Sequence, residues 1–290
     1  MRGALAVLLV LAAWVFTGDA FAWSDGHATI TRAAFESLPQ AQQAGWGREA
    51  DDPIWKCSRK IAEGLIKDYC YIPDLYDCGP KNPTFKPEVK PFFRSSAQGK
   101  SYHYFTLDEK GNREWCRAGA QWYFEQMARA FKANKPVDAA MYAGSFAHAI
   151  EDRTSPYHCL DGYEKARADY EKQHGLDFKF WALSDKHVAV SLEGRMPILL
   201  GKDPAEAARA FCKRFEENNA YARGRIPDFV GAHLKDDWKN EAVGSPTDAI
   251  MSEMATEAAK LVADVFYTAL VTGSRTPAGS QAGATREGAR

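Results

Sequence analysis

With 290 residues, 46% apolar and 26% charged, the chain has the size and balance of one large globular domain or two small ones. A formal net charge of −1 and the lack of a polybasic run argue against a surface built mainly to hold nucleic-acid phosphates. They do not exclude a nuclease, because a metal cluster supplies positive charge locally.

Residues 1–22 read as a signal peptide. Arg2 is followed by an apolar stretch from Ala4 to Val15 and then by Ala20-Phe21-Ala22, the small-x-small pattern that a signal peptidase cuts. The apolar stretch is too short for a membrane span of about 20 residues, so cleavage is expected. The mature chain would begin at Trp23 and be secreted or periplasmic. No later stretch is long and apolar enough to cross a bilayer. Six cysteines, at positions 57, 70, 78, 116, 159 and 212, then favour disulfides. None shows CxxC spacing. Cys57, Cys70 and Cys78 fall close together, as in a stapled loop region, and the sequence does not choose the pairing.

Helical patterns dominate the rest, which predicts a mostly α, single-domain, multi-helix fold over residues 23–273. A short helix is expected from His27 to Leu38. Residues 71–113, with Pro73, Pro80, Pro83, Pro87 and Pro91, read as a long, disulfide-pinned loop. Trp115, Ala118, Trp122, Met127 and Phe131 predict a helix over about 114–133. Another follows Pro136, from Val137 to Asp152, and is rich in small residues. Weak alternation at Phe178, Phe180, Val188, Val190 and Leu192 points to a small hairpin within 175–202. Asp203-Pro204-Ala205-Glu206 supplies an N-cap, a first-turn proline and a capping-box acid, with Ala208, Phe211, Cys212 and Phe215 following at helical spacing. Ser245-Pro246-Thr247-Asp248 opens a last helix in the same way. Its stripe runs Met251, Met254, Ala258, Leu261 and Val265 and stops near Gly273. The Gly/Ser/Thr/Arg-rich tail over 274–290 is expected to be disordered.

The strongest chemical signal lies between Gly144 and His158. His148 and Asp152, four residues apart on a predicted helix, project from one face. Pro156 ends the helix and lets the chain return His158 toward that face. Two imidazoles and a carboxylate that converge in this way suit zinc. Gly144, one turn before His148, lets another backbone come close. A second signal is Trp23-Ser24-Asp25-Gly26-His27. Cleavage after Ala22 would free the α-amine of Trp23, whose pKa of about 8 makes it an accessible metal ligand beside its own carbonyl. Ile72-Pro73-Asp74 and Tyr102-His103-Tyr104-Phe105 add an acid and a histidine that would pass, in isolation, for a turn residue and a packed imidazole.

In order, mature Trp23, His27, Asp74, His103 and His148-x3-Asp152-x5-His158 resemble the zinc-dependent phospholipase C superfamily, which also contains the single-strand-specific zinc nucleases. The resemblance covers residues 23 to about 158. It implies a helical fold that binds two or three zinc ions in a cleft. Trp23 would ligate through its terminus, and His27, His103, His148 and His158 through imidazoles. Asp152 would be a carboxylate bridge, and Asp74 a ligand or the base near the attacking water. The family usually closes its cluster with a histidine followed four residues later by an acid. This chain departs there, because His174 is followed by Phe178 and His187 by Ser191. His174 with Asp177 is the nearest substitute, and Glu171 is another candidate. Tyr104, Phe105 and Tyr157 are candidate substrate contacts.

The expected chemistry is hydrolysis of a phosphodiester by metal-activated water. No G-x-S-x-G elbow and no glycine-rich phosphate loop is present. The short Trp-x3-His spacing leans toward a nuclease. The Ile-Pro-Asp segment, the Gly144-x3-His148 context and the near-neutral charge lean toward a phospholipase C acting on phospholipid, with transient contact at a membrane surface. Phospholipase C is the leading expectation and single-strand nuclease the second. The alternative of another class is a zinc-binding or surface-interaction protein that has lost turnover.

Overall fold

The computed structural model describes residues 23, 25–94, 113–156, 158–159, 172–173, 187–235 and 244–273. These residues form a mostly helical fold. In chain order come α1 (Gly26–Glu36), α2 (Gln40–Trp46), the strands β1 (Glu49–Asp52) and β2 (Cys57–Lys60), α3 (Ile61–Lys67), a 3-10 turn (Tyr69–Tyr71), α4 (Ile72–Asp77), a second 3-10 turn (Pro87–Phe92), α5 (Arg113–Lys132), α6 (Pro136–Thr154), α7 (Pro204–Lys235) and α8 (Pro246–Gly273). No helix among the described residues is long and apolar enough to cross a membrane. The expected signal segment, 1–22, and tail, 274–290, lie outside the described residues.

Helices α7 and α8 start where their caps predict. Asp203 Oδ1 accepts from the backbone N–H groups of Ala205 and Glu206, each at 2.9 Å, and Glu206 reaches back to the N–H of Lys202 at 3.0 Å. At α8 the box is reciprocal. The Asp248 N–H donates to Ser245 Oγ at 3.1 Å, while the Asp248 carboxylate accepts from the N–H groups of Gly244 and Ser245. Each such cap satisfies donors that a helix start otherwise leaves orphaned.

Helix α6 is the centre of the fold. It packs against α3, α4, α5, α7, α8 and the first 3-10 turn, and every residue from Ala143 to Thr154 is buried. A helix buried all round needs small residues for close approach, and α6 supplies Ala139, Ala140, Ala143, Gly144, Ala147 and Ala149. Its buried phenylalanine, Phe146, stacks on Tyr123 of α5 at 4.8 Å and meets Phe211 of α7 at 4.7 Å.

The proline-rich stretch departs from expectation. Pro73 sits in the first turn of α4 and Pro87 in that of a 3-10 turn. Proline is favoured at a helix start because its missing N–H is unneeded there, so these prolines open short helices within what reads as loop. In this structure no bond joins Cys57, Cys70 or Cys78 to one another. Cys70 is buried with Sγ 3.2 Å from the Ile66 carbonyl, and Cys78 turns toward the Leu75 carbonyl. Each is directed back along its own segment. Of the expected hairpin in 175–202, Phe178 and Phe180 lie outside the described residues. Among its described residues, 187–202, there is no strand, and the two-stranded sheet is instead β1–β2, antiparallel with Glu49 opposite Lys60. The alternation of Val188, Val190 and Leu192 has a different cause. This segment lies extended along α8, and its N–H groups bond α8 side chains: Ala189 to Ser252, Ile198 to Asp264 and Leu200 to Thr268, at 2.8–3.0 Å.

One close approach sets the geometry of the interior. A Cβ on Gly144 would lie 2.5 Å from the Tyr69 carbonyl carbon and 2.6 Å from its oxygen. Tyr69 is held from its other end. Its hydroxyl donates to Asp52 at 2.6 Å, and Arg59 bridges Asp52 and Asp68 while lying over the Trp55 and Tyr69 rings. Burial pushes the Asp52 carboxyl up, but the Trp55 N–H, the Tyr69 hydroxyl and Arg59 together hold it below the usual carboxylate range.

Two predictions follow from this packing. Glycine to alanine inside a helix ordinarily stabilises by about 0.5–1 kcal/mol. Gly144→Ala is expected to reverse that sign and to destabilise by about 1–3 kcal/mol through overpacking, read as a lower midpoint in denaturant titration. For Asp52 the folded pKa lies below the unfolded value of about 3.9. Its contribution is therefore fully present above that value and lost as pH falls through the folded pKa. Asp52→Asn should lower stability at neutral pH and flatten the loss seen between about pH 4 and lower values.

Candidate metal centre

Four elements meet at one end of α6. Helix α1 presents His27 and Thr31, four residues apart on the same face. Helix α6 presents His148, Glu151 and Asp152. The first 3-10 turn brings the Cys70 carbonyl, and α4, following directly from it, brings Asp74 in its first turn.

Each imidazole is fixed through Nδ1. The His148 Nδ1–H donates to the Cys70 carbonyl at 2.7 Å, and the His27 Nδ1–H donates to Glu151 Oε2 at 2.6 Å. The other Glu151 oxygen accepts from the Thr31 hydroxyl at 2.8 Å, so this fully buried carboxylate is held at both ends. In the neutral rings these bonds leave both Nε2 atoms as the acceptor nitrogens. The two rings stack at 4.2 Å with an interplanar angle of 18°, and Tyr71 meets the His27 ring edge-on at 5.5 Å. Burial pushes the Tyr71 hydroxyl well above its usual range, so it stays protonated.

The two Nε2 atoms face carboxylates. Asp152 Oδ1 is 3.5 Å from His27 Nε2, and Asp152 Oδ2 is 3.3 Å from His148 Nε2. Asp74 Oδ1 is 3.7 Å from His148 Nε2. Ligand atoms of His27, Asp74 and His148 all lie within 4.8 Å of one another. His27 Nε2 is buried and makes no hydrogen bond. A buried polar atom without a partner is costly, and a cation between these acceptors would relieve it. His27, Asp74 and His148 form an N/O donor set that could hold a metal ion, with Asp152 beside both Nε2 atoms. Asp74, at 11% side-chain exposure, is the most open member; the others are at 0–1%.

The remaining sequence candidates divide. Trp23 is fully buried, and its indole N–H donates to the Glu151 carbonyl at 2.8 Å, which sets residue 23 against the turn that carries Asp152. His158 follows Pro156 in a tight turn. Its N–H reaches the Ser155 carbonyl at 3.3 Å, and its own carbonyl accepts from Arg153 at 2.8 Å. The turn is clamped by Asn219 of α7, which donates to the carbonyls of Arg153 and Cys159. The half-buried His158 is not in the group whose ligand atoms lie within 4.8 Å. His103, Tyr104, Phe105, Tyr157, Glu171, His174 and Asp177 lie outside the described residues.

Sequence reasoning missed Glu151, Thr31, Asn219 and the Cys70 carbonyl. Thr31 left a faint signal, four residues after His27. Glu151 was hidden beside Asp152: at i+3 and i+4 the two acids flank the His148 face on opposite sides, and nothing local shows that α1 supplies the partners of Glu151. Asn219 and the Cys70 carbonyl left none. No protein-family model, no curated protein and no solved structure matches the chain.

Proposed function

We propose that this chain is an exported zinc-dependent phosphodiesterase, a phospholipase C ahead of a single-strand nuclease. The observation that carries the reading is the pair of histidines locked through Nδ1, with both Nε2 atoms turned toward Asp152 and one of them toward Asp74. His27, His148, Asp152 and Asp74 would hold the ion. Zinc held in such a set would supply Lewis acidity to a phosphoryl oxygen and lower the pKa of water toward about 7.

The chain's own residues divide the remaining work. Glu151 fixes the tautomer and angle of His27, and Thr31 fixes Glu151. The Cys70 carbonyl does the same for His148. Asp74, with access to solvent, is placed to orient water or take its proton. The indole anchor of Trp23 supports a further ligand role for the amine that cleavage after Ala22 would free. His103 and His158, with His174 and Asp177, are the sequence candidates for completing two or three zinc sites. Substrate choice rests on charge and surface. The near-neutral chain offers little to a nucleic-acid backbone. Met196, Ile198 and Leu199 stand exposed on the segment along α8, an apolar patch suited to a lipid interface.

Zinc content and turnover test the centre. Two or three tightly held zinc ions per chain and chelator-sensitive phosphodiesterase activity are expected, with His148→Ala losing both together. Retention of both would remove His148 from the site. Zinc binding without turnover on any ester would favour the binding-protein alternative. Glu151→Gln should weaken zinc affinity about 10–100-fold, as loss of an outer partner of a ligating histidine does; unchanged affinity would make Glu151 a packing residue only.

Release of phosphocholine from lecithin vesicles against release of nucleotides from single-stranded DNA decides the substrate. Faster turnover on the vesicles is expected. Activity on DNA alone would transfer the reading to the nuclease.

A further inference from the structure

Helices α5 and α7 pack along each other, and each carries a cysteine into the contact. Cys116 and Cys212 are buried, 96 positions apart in the chain, with their sulfurs 2.7 Å apart. That separation is outside the bonded S–S length of about 2.05 Å and inside the distance at which two unbonded sulfurs rest. The other four cysteines are placed differently. Cys57 is exposed, and Cys70, Cys78 and Cys159 each point a thiol toward a carbonyl of their own segment.

We propose that Cys116 and Cys212 are a disulfide site joining α5 to α7. The proposal is independent of any metal at the centre. Formation removes two protons and two electrons from the two thiols. The acceptor is an exchangeable disulfide such as oxidised glutathione, which leaves as two thiols. Exchange needs a thiolate, and the neighbouring Cys212 sulfur together with burial holds the Cys116 thiol protonated. The bond therefore forms before the two helices close, or during their opening. Once formed, it is shielded from soluble thiols while the protein stays folded. The ring it closes contains the whole of α6, and so His148, Glu151 and Asp152. A cross-link spanning that much chain restricts the unfolded state far more than the folded one.

The test is a peptide map of the full chain refolded with oxidised and reduced glutathione, then alkylated in denaturant without reductant. A linked Cys116–Cys212 peptide is expected, with Cys57, Cys70, Cys78 and Cys159 alkylated. Alkylation of Cys116 and Cys212 in the folded, oxidised protein would overturn the proposal, as would either sulfur linked elsewhere. A second measurement compares melting with and without prior reduction. The unreduced chain should melt higher by on the order of 10 °C. Cys116→Ala and Cys212→Ala should each abolish that difference, whereas Cys57→Ala should keep it. Persistence of the difference in either of the first two variants would also overturn the proposal. Should those variants fail to fold, the peptide map of the unaltered chain still decides.

Discussion

The candidate centre depends on how closely the first 3-10 turn can approach α6. Gly144 has no Cβ where Tyr69's backbone lies, so the turn seats directly on the helix. The next residue, Cys70, then has its carbonyl within 2.7 Å of His148 Nδ1. Two residues further, α4 begins and carries Asp74 across the same gap. A side chain at position 144 would displace all three together. The hairpin belongs to this arrangement as well. Asp52 ends β1 and Arg59 lies in β2, and between them they grip the hydroxyl and ring of Tyr69. A peripheral two-stranded sheet thus fixes the register of a backbone carbonyl in the core.

The polarity of α6 is the second constraint. Between Ala143 and Thr154 it buries Ser145, His148, Glu151, Asp152, Arg153 and Thr154. Burying ionisable groups is unfavourable by several kcal/mol each unless they are paired. Most of these groups have an internal answer. Ser145 and Thr154 bond carbonyls of their own helix. Arg153 reaches the His158 carbonyl, and Glu151 is satisfied by His27 and Thr31. What converges at the end of these chains of bonds is acceptor against acceptor: two ring nitrogens and the Asp152 carboxylate, with Asp74 at the edge. A bound cation in such a place contributes to folding as well as to chemistry.

Much of this was legible in the sequence, because periodicity and capping are local. The stripes of α5, α7 and α8, the boxes at Asp203 and Ser245, and the need for a small residue at Gly144 all follow from neighbours within a turn or two. What was not legible depends on tertiary placement. The prolines at 73 and 87 read as loop because the same residue breaks a helix interior and opens a helix start. Val188, Val190 and Leu192 alternate as a strand would, yet their partner is a helix offering Ser252, Asp264 and Thr268 as acceptors. Glu151 lies one turn on from His148, and its partners, on α1, lie some 120 residues earlier in the chain.

A buried nitrogen without a hydrogen bond is weak as a sign of a site, and Trp46 shows why. Its Nε1 is also buried and unbonded, but the indole lies between Phe131 and Phe266, 6.1 and 5.1 Å away, where no ligand would find a donor set. That is a hydrophobic side chain leaving one polar atom unmet at the usual cost of such a group. His27 differs in its surroundings. Its partnered nitrogen is held by a carboxylate that is itself held, an arrangement a space-filling histidine does not need. Its unbonded nitrogen faces Asp152, beside a second imidazole locked the same way. Burial and an unmet atom are shared by both residues; only around His27 are the neighbours ligands, and that is what distinguishes a candidate metal site from an imperfection in packing.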